Sequence, residues 1–388
     1  MSTLKVDGIR SNSATSDAIS LAANGTCTVN ITNNLSNRNL IINGAFQIAQ
    51  RGTSATSSGI GTVDRFAQIH SATDEAPTQA QVDVASGTTP YTLGFKKAFK
   101  ITNGNQTSVG NDDYIWIQTK LESQDIADSG WNYVSTSSYI TLSFWVKSSV
   151  PQDFKAYLRT RDGTQMMYPF NTGTLTADTW TKITKTIPGN SSLQFDNDAN
   201  EGLQLNIGCF WGTGLSSNST SENSWATWNS AARTPDVTST WYTTNDATFE
   251  ITGVQLEVSD YATDFEHRTF HDELHRCFRY YYEIAKREAE SIIGDSLNYD
   301  TNDHCTLRFP VEMRKEPDFI CSNFSNAFRI YGTTGGRNVS TLTVNTGVGS
   351  TKAIMIECSG GTSGSQSFVR VYNANSGVYA TIAADAEL

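Results

Sequence analysis

A chain of 388 residues is long enough for two or three domains, each with a core of its own. Charged residues are only 17% and the formal net charge is −11, a surface that repels nucleic acid and anionic lipid, so neither is expected as a partner. No apolar run approaches the ~18 residues of a membrane span, and Met1–Gly8 lacks the apolar stretch of a secretory signal, so folding in a cytosol without membrane insertion is expected.

Residues 1–39 read as three short strand-like pieces, Leu4–Arg10, Ala18–Ala22 and Cys27–Ile31, separated by turn residues. In the last, Cys27, Val29 and Ile31 alternate with Thr28, Asn30 and Thr32. So short a segment cannot build an adequate core. It must pack on copies of itself or on another protein, as an oligomeric stalk or a docking piece would.

Residues 40–268 read as one large β domain. Apolar runs recur between polar turns at Leu40–Ile42, Phe95–Thr102, Tyr114–Leu121, Tyr139–Val146, Phe154–Arg159, Trp180–Ile187, Leu203–Phe210 and Ala247–Leu256. In Tyr139–Val146 the residues Ile140, Leu142, Phe144 and Val146 face one way. About eight strands with no helical stretch between them imply an antiparallel β-sandwich, a jelly roll, so the fold class is all-β. Trp116, Trp145 and Trp180, lying in alternating strands, are read as core.

Residues 212–246 form a long polar insertion carrying Trp225, Trp228, Trp241 and Tyr242 beside Asn223, Asn229 and Asp236, with Trp211 at its base. Structureless loops of this length usually have a purpose. Rings in a polar loop can lie against the C–H faces of sugars while Asn, Asp, Ser and Thr bond the hydroxyls. Two readings stay open: the rings form a carbohydrate platform (Trp211, Trp225, Trp228, Trp241, Tyr242), or they staple the loop to the sandwich or to a neighbouring subunit.

Residues 269–290 carry the one helical pattern, with Leu274, Cys277, Phe278, Tyr281 and Tyr282 at i, i+3, i+4, i+7 and i+8 and Thr269 placed as its cap. The aromatic residues after Arg279 suit the start of a strand equally well. The apolar seam Leu274, Cys277, Phe278 and Tyr281 needs a partner surface, either the sandwich of the same chain or symmetry mates on a threefold axis. The trimer contact is the preferred expectation. Residues 291–388 return to short strands, Thr306–Phe309, Ala353–Glu357, Ser367–Tyr372 and Val378–Ile382, as a smaller C-terminal β domain.

No compact catalytic motif is present, neither a nucleophile elbow nor a zinc-protease or phosphate-loop pattern. Carboxylates at Asp112-Asp113, Asp162, Glu250 and Glu257 are candidates for a glycosidase pair, but neighbours on a strand point to opposite faces. His267, His271 and His275 at i, i+4, i+8 suit a solvent-exposed or inter-subunit stripe better than one metal ion. The runs Asp125/Asp128 and Asp196-Asn197-Asp198-Ala199-Asn200 offer oxygen ligands for calcium without the spacing of an EF-hand, and plain polar turns account for them. The six cysteines have no CxxC spacing and read as small buried hydrophobes. The expectation is a protein without catalysis, metal or cofactor.

Several ordered stretches resemble a known family. Asn39-Leu40-Ile41-Ile42-Asn43-Gly44-Ala45-Phe46-Gln47-Ile48-Ala49-Gln50-Arg51-Gly52 with Val63-Asp64-Arg65-Phe66 resembles the opening of a β-sandwich module in bacteriophage tail fibres. Phe144–Ser148, Val254–Glu257, Ala262–Arg268, Glu273–Tyr281, Met313–Pro317 and Asp385–Leu388 follow in the same order. The resemblance covers roughly residues 39–320 and the last few. It implies a receptor-binding protein with a carbohydrate-binding-module-like jelly roll, assembled as a homotrimeric fibre on a virion. It further implies synthesis in the host cytoplasm, docking on other tail proteins through residues 1–39, and recognition of a bacterial surface glycan. A decoration fibre on the capsid or tail, or a capsule-degrading spike, are the rival expectations.

Overall fold

The computed structural model describes residues 6–13, 15, 17–25, 27–29, 37–285, 291–299, 302–322, 328–332, 335–338, 341–344, 349–359, 366–371 and 381–388. Three short strands, β1 Gly8–Ile9, β2 Ile19–Leu21 and β3 Cys27–Val29, form a small antiparallel sheet. Val6, Ile9 and Leu21 are exposed on it.

The sandwich is built from β4 Ser54–Ala55, β5 Phe66–Ser71, β6 Thr78–Asp83, β7 Lys97–Thr102, β8 Tyr114–Glu122, β9 Tyr139–Ser148, β10 Asp153–Thr160, β11 Met166–Thr174, β12 Thr181–Pro188, β13 Glu201–Trp211, β14 Ala226–Thr227 and β15 Thr248–Val258. Short helices α1 Thr89–Thr92 and α2 Ser123–Ala127 interrupt it. A front sheet runs β14-β11-β10-β13-β8-β5 and a back sheet runs β12-β9-β15-β7-β6-β4, with antiparallel pairing throughout. The chain crosses between the sheets at β4–β5, β5–β6, β7–β8, β8–β9, β9–β10, β11–β12, β12–β13 and β14–β15, which wraps it as a jelly roll. The inward-facing residues merge in one core. Ile115, Ile117, Leu205, Ile207 and Phe170 from the front sheet meet Phe99, Ile140, Leu142, Phe144 and Ile251 from the back. Alternation therefore placed Ile140, Leu142, Phe144 and Val146 correctly.

Besides the two-residue strands β4 and β14, the strands not legible as apolar runs are β5, β6 and β11. Each of these three carries Gln, Thr, Pro or Gly where a strand signal would be apolar. Leu40–Ile42 is not a strand. It is the start of a turn in which Phe46 N bonds Asn43 O, with Phe46 at φ 55. Gly44 is required in that turn because the Val254 carbonyl passes where a Cβ would stand. Asn39 and Asn43 fill the rest of the junction. Asn39 Nδ2 donates to Val254 O while its Oδ1 accepts from Ile41 N and Leu256 N. Asn43 bridges Ile48 and Asp64, and its N–H donates to the Glu273 carboxylate.

The helix is shorter than the pattern suggested. α3 spans Phe270–Cys277, capped by Thr269 Oγ1 accepting from Asp272 N at 3.2 Å, and the chain then enters β16 Tyr281–Ala285. Of the four seam residues, Cys277 and Tyr281 are buried in their own chain, which corrects their reading as oligomer contacts. The Arg51 guanidinium lies 3.5 Å over the Tyr281 ring. Leu274 and Phe278 remain half-buried, and Phe270 is 58% exposed.

Beyond α3, β16, β19 Asp318–Ser322 and β25 Thr381–Asp385 form a three-stranded sheet. The strands β17 Ser291–Tyr299, β18 Asn302–Arg308, β20 Phe328–Gly332, β21 Gly335–Asn338, β22 Thr341–Val344, β23 Ala353–Ser359 and β24 Gln366–Val371 form a seven-stranded sheet in the order β21-β20-β24-β17-β18-β23-β22. The expected strand Val378–Ile382 begins outside the described residues. Residues 385–388 do not stay with the C-terminal sheets but return to the sandwich. Arg65 pairs with Glu387, Arg51 pairs with Asp385 at 3.0 Å, and Arg314 donates to the carbonyls of Ala386 and Glu387. Behind them, Arg279 grips the buried Glu122 with two bonds of 2.7 Å, and Tyr280 Oη donates to the same carboxylate.

Candidate functional site

The five aromatic residues expected as a sugar platform do not form one. Trp241 and Tyr242 fold back into the sandwich core and are fully buried. The backbone N–H of Trp241 donates to Gln152 Oε1, and its indole N–H donates to Thr248 O. The Tyr242 ring stacks on Phe210 at 4.2 Å and its hydroxyl donates to Asp113. Burial and the Asp113 charge push this phenol well above its ordinary range. Trp225 is a staple, with its indole N–H on Pro188 O at 2.7 Å and its edge on Tyr168. Trp211 lies flat on the front sheet and is 1% exposed. It occupies the space above Gly208, where any Cβ would collide with its indole. The stapling alternative thus holds for Trp225, Trp241 and Tyr242, because a polar loop this long orders itself by burying its own rings.

Trp228 is the exception, and it points to a different surface. It lies half-buried on the outer face of the front sheet, 5.5 Å from Tyr157. There Trp116 stacks on Trp211 at 4.8 Å and Tyr114 on Trp116 at 4.4 Å. Trp116 is therefore not part of the inter-sheet core as expected, and neither are Trp145 and Trp180, which pack on the outer face of the back sheet beside Phe95 and Phe265. Alternation separates two faces but does not say which is inside. In Tyr114-Ile115-Trp116-Ile117 the inner pair is Ile115 and Ile117.

Cross-strand register lays a polar floor beside these rings. Ala67, Gln118, Asn206, Tyr157 and Pro169 form one row, and Lys120, Gln204, Arg159 and Met167 the next. Gln118 Nε2 donates to Asn206 Oδ1 at 2.7 Å, and Gln204 donates to Glu201. Glu201 pairs with Lys120 and with Arg161, each at 3.2 Å. The insertion borders this face on one side, through Leu215, Trp228, Arg233 and Val237. On the other side the chain's last residues close a cavity of about 270 Å³ whose lining includes Ala67, Ile69, Gln118, Lys120, Glu387 and Leu388. The result is a groove with a polar floor and aromatic flank. Burial drives the Tyr157 phenol up to about 12, so it is a hydrogen-bonding neutral hydroxyl at any physiological pH.

Four of the carboxylates considered for catalysis are held by protein partners. Asp113 accepts from Gly110 N and Tyr242 Oη, Asp162 from Ser123 and Asp196 N, Glu250 pairs with Lys147, and Glu257 accepts from Thr263. His267 precedes α3 and turns away to bond Leu93 O at 2.8 Å, so the three histidines do not share a helix face. Asp198 caps its own turn by accepting from Asn200 N and Nδ2. Among the described residues no group of three metal-ligating side chains gathers, and no helix is long and apolar enough to cross a membrane. Cys209, Cys277, Cys305 and Cys358 are buried and Cys321 half-buried, none in a disulfide.

No protein-family model matches the chain, and no curated protein does either. Solved structures similar in backbone include the enzymatically active domain of tailspike protein 4 of bacteriophage CBA120, at 10% identity and TM-score 0.30 over 57% of this chain; this chain spans 21% of that one. Others are a tandem of family 22 carbohydrate-binding modules from Paenibacillus barcinonensis (10% identity, TM-score 0.28, 91% of this chain and 98% of that one) and the N-terminal cellulose-binding domain of Cellulomonas fimi β-1,4-glucanase C (12% identity, TM-score 0.27, 55% and 98%). Likeness this distant carries no argument about what the chain binds.

Proposed function

We propose that this chain is a bacteriophage tail-fibre subunit that binds a bacterial surface glycan without cleaving it, through the outer face of its front sheet. The observation that carries the reading is the groove itself. It combines the half-buried Gln118 amide, oriented by the buried Asn206, which can exchange hydrogen bonds with hydroxyls, and an aromatic flank (Tyr114, Trp228) that suits sugar C–H faces. The carboxylate on its floor, Glu201, is tied to two cations and an amide, whereas a glycosidase needs a second carboxyl within roughly 5–10 Å and a free hand on both.

Assembly as a homotrimer is part of the proposal. Phe270, Leu274 and Phe278 lie at i, i+4 and i+8, so α3 carries an apolar stripe that its own chain covers only in part. The exposed Val6, Ile9 and Leu21 suit packing of residues 1–39 on neighbouring copies or on another tail protein. Three grooves per fibre raise effective concentration, so weak single sites suffice for adsorption.

The experiment pairs solution mass with host adsorption of the purified protein. A trimer whose Trp228→Ala and Gln118→Ala forms adsorb about tenfold less is the expected outcome. Unchanged adsorption would move the receptor site elsewhere, and sustained release of reducing ends from host polysaccharide would replace the binding role with an enzymatic one.

A further inference from the structure

The groove holds two cations with no ion-pair partner among the described residues. Around it, the other basic side chains have acidic partners: Lys120 and Arg161 share Glu201, and Lys155 has Asp153 and Glu222. Among the described residues, neither Arg159 nor Arg233 has a carboxylate within ion-pair reach. Arg159 spends two N–H groups on the amide oxygen of Gln165, at 3.1 and 2.6 Å. Arg233 donates from Nε to Ser230 O at 3.1 Å. Both guanidiniums crowd one ring, with Arg159 at 3.8 Å and Arg233 at 5.6 Å from the centre of Trp228, and Arg233 also stands 5.2 Å over Trp116. Burial, then the neighbouring Arg161, then Arg233 pull the Arg159 guanidinium down to about 10.

A chain of net charge −11 has acidic side chains to spare. Leaving two half-buried arginines beside Tyr157 and Trp228 without one costs free energy that an anionic ligand would return. A guanidinium's fork suits a planar carboxylate held by two parallel bonds, and the rings beside it suit the sugar carrying that carboxylate.

We propose that the glycan bound in this groove is acidic, with the carboxylate of a uronate or sialate residue received by Arg159 and Arg233 and its ring lying along Trp228. This rests on the glycan-binding reading above and adds the charge of the ligand to it. Gln118, oriented by the buried Asn206, then bonds the hydroxyls of an adjoining sugar.

The test is affinity electrophoresis of the full chain in gels containing polygalacturonate, alginate or polysialate, each run beside its carboxyl-reduced neutral counterpart. The expected result is retardation about tenfold stronger for at least one acidic polymer than for its reduced form, weakening as salt rises from about 20 to about 500 mM. Arg159→Gln and Arg233→Gln should each bring that ratio close to one with unchanged far-UV circular dichroism, while Lys182→Gln on the back sheet leaves it intact. Equal retardation by acidic and reduced polymers would overturn the charge inference and leave glycan binding standing. Retardation by neither member of any pair would overturn both. An acid preference that survives in both arginine variants would place the site elsewhere and overturn this assignment.

Discussion

Asp64 is a carboxylate held without solvent. It is fully buried beneath the chain's last residues, and burial raises its carboxyl to about 6 despite Arg51 at 3.9 Å and two hydrogen bonds from Gln50. An acid raised in the folded state favours folding when protonated. Its contribution is complete below the unfolded value and is lost as pH rises through about 6. The loss is on the order of 3 kcal/mol at about 1.4 kcal/mol per pH unit. Asp64→Asn should therefore gain on the native protein between about pH 4 and pH 7, read as diverging urea midpoints; a difference that stays flat with pH would refute the burial argument. Burial likewise separates the tryptophans. Trp241→Ala removes a fully buried ring and its indole hydrogen bond to Thr248 O and should cost about 3–5 kcal/mol, whereas Trp228→Ala should cost about 1 kcal/mol and act on binding. Thermal melts of the two variants check the order.

The insertion 212–246 is better understood as an element than as a loop. β14 pairs Thr227 and Ala226 with Met166 and Met167, Trp225 anchors on Pro188, and Tyr242 anchors on Asp113. Between these anchors Trp228 and Arg233 are carried onto the front sheet. Trp225→Ala should loosen the span from 212 to 235 at a global cost of about 2 kcal/mol. Limited proteolysis within that span, with the sandwich intact, is the expected readout; uniform resistance would mean that the indole is not an anchor. The helix α3 shows the opposite economy. Eight residues are too few to hold a helix in isolation, and Thr269 capping with Cys277 and Glu273 buried against the sandwich fixes it.

Over the whole molecule, the return of residues 385–388 is the feature that ties the parts together. Glu387 accepts from Arg65 and sits 3.5 Å from Arg51, and Asp385 completes the set. Glu387→Gln leaves Arg65, which is 4% exposed, with no acidic partner, so a loss of about 3 kcal/mol is expected in denaturant unfolding. Because Leu388 and Glu387 also line the groove's cavity, the same variant should weaken glycan binding; full affinity at lowered stability would separate the clamp from the site.

Composition and alternation were enough for the all-β class, the sandwich and seven of its strands, since a half-buried strand writes a period of two into the chain whatever its neighbours are. The stretches that carried the family resemblance, from Asn39–Gly52 and Val63–Phe66 to Glu273–Tyr281, Met313–Arg314 and Asp385–Leu388, turn out to meet at one clamp. Where the aromatic rings point was not legible, because inside and outside are defined by the second sheet and not by the strand. The groove was hidden for the same reason: Gln118, Tyr157, Arg159, Asn206 and Arg233 are scattered along the chain and become neighbours through register alone. The unpaired state of Arg159 and Arg233 exists only in three dimensions, since lacking a counterion is a property of distance, and sequence carries no distances between strands.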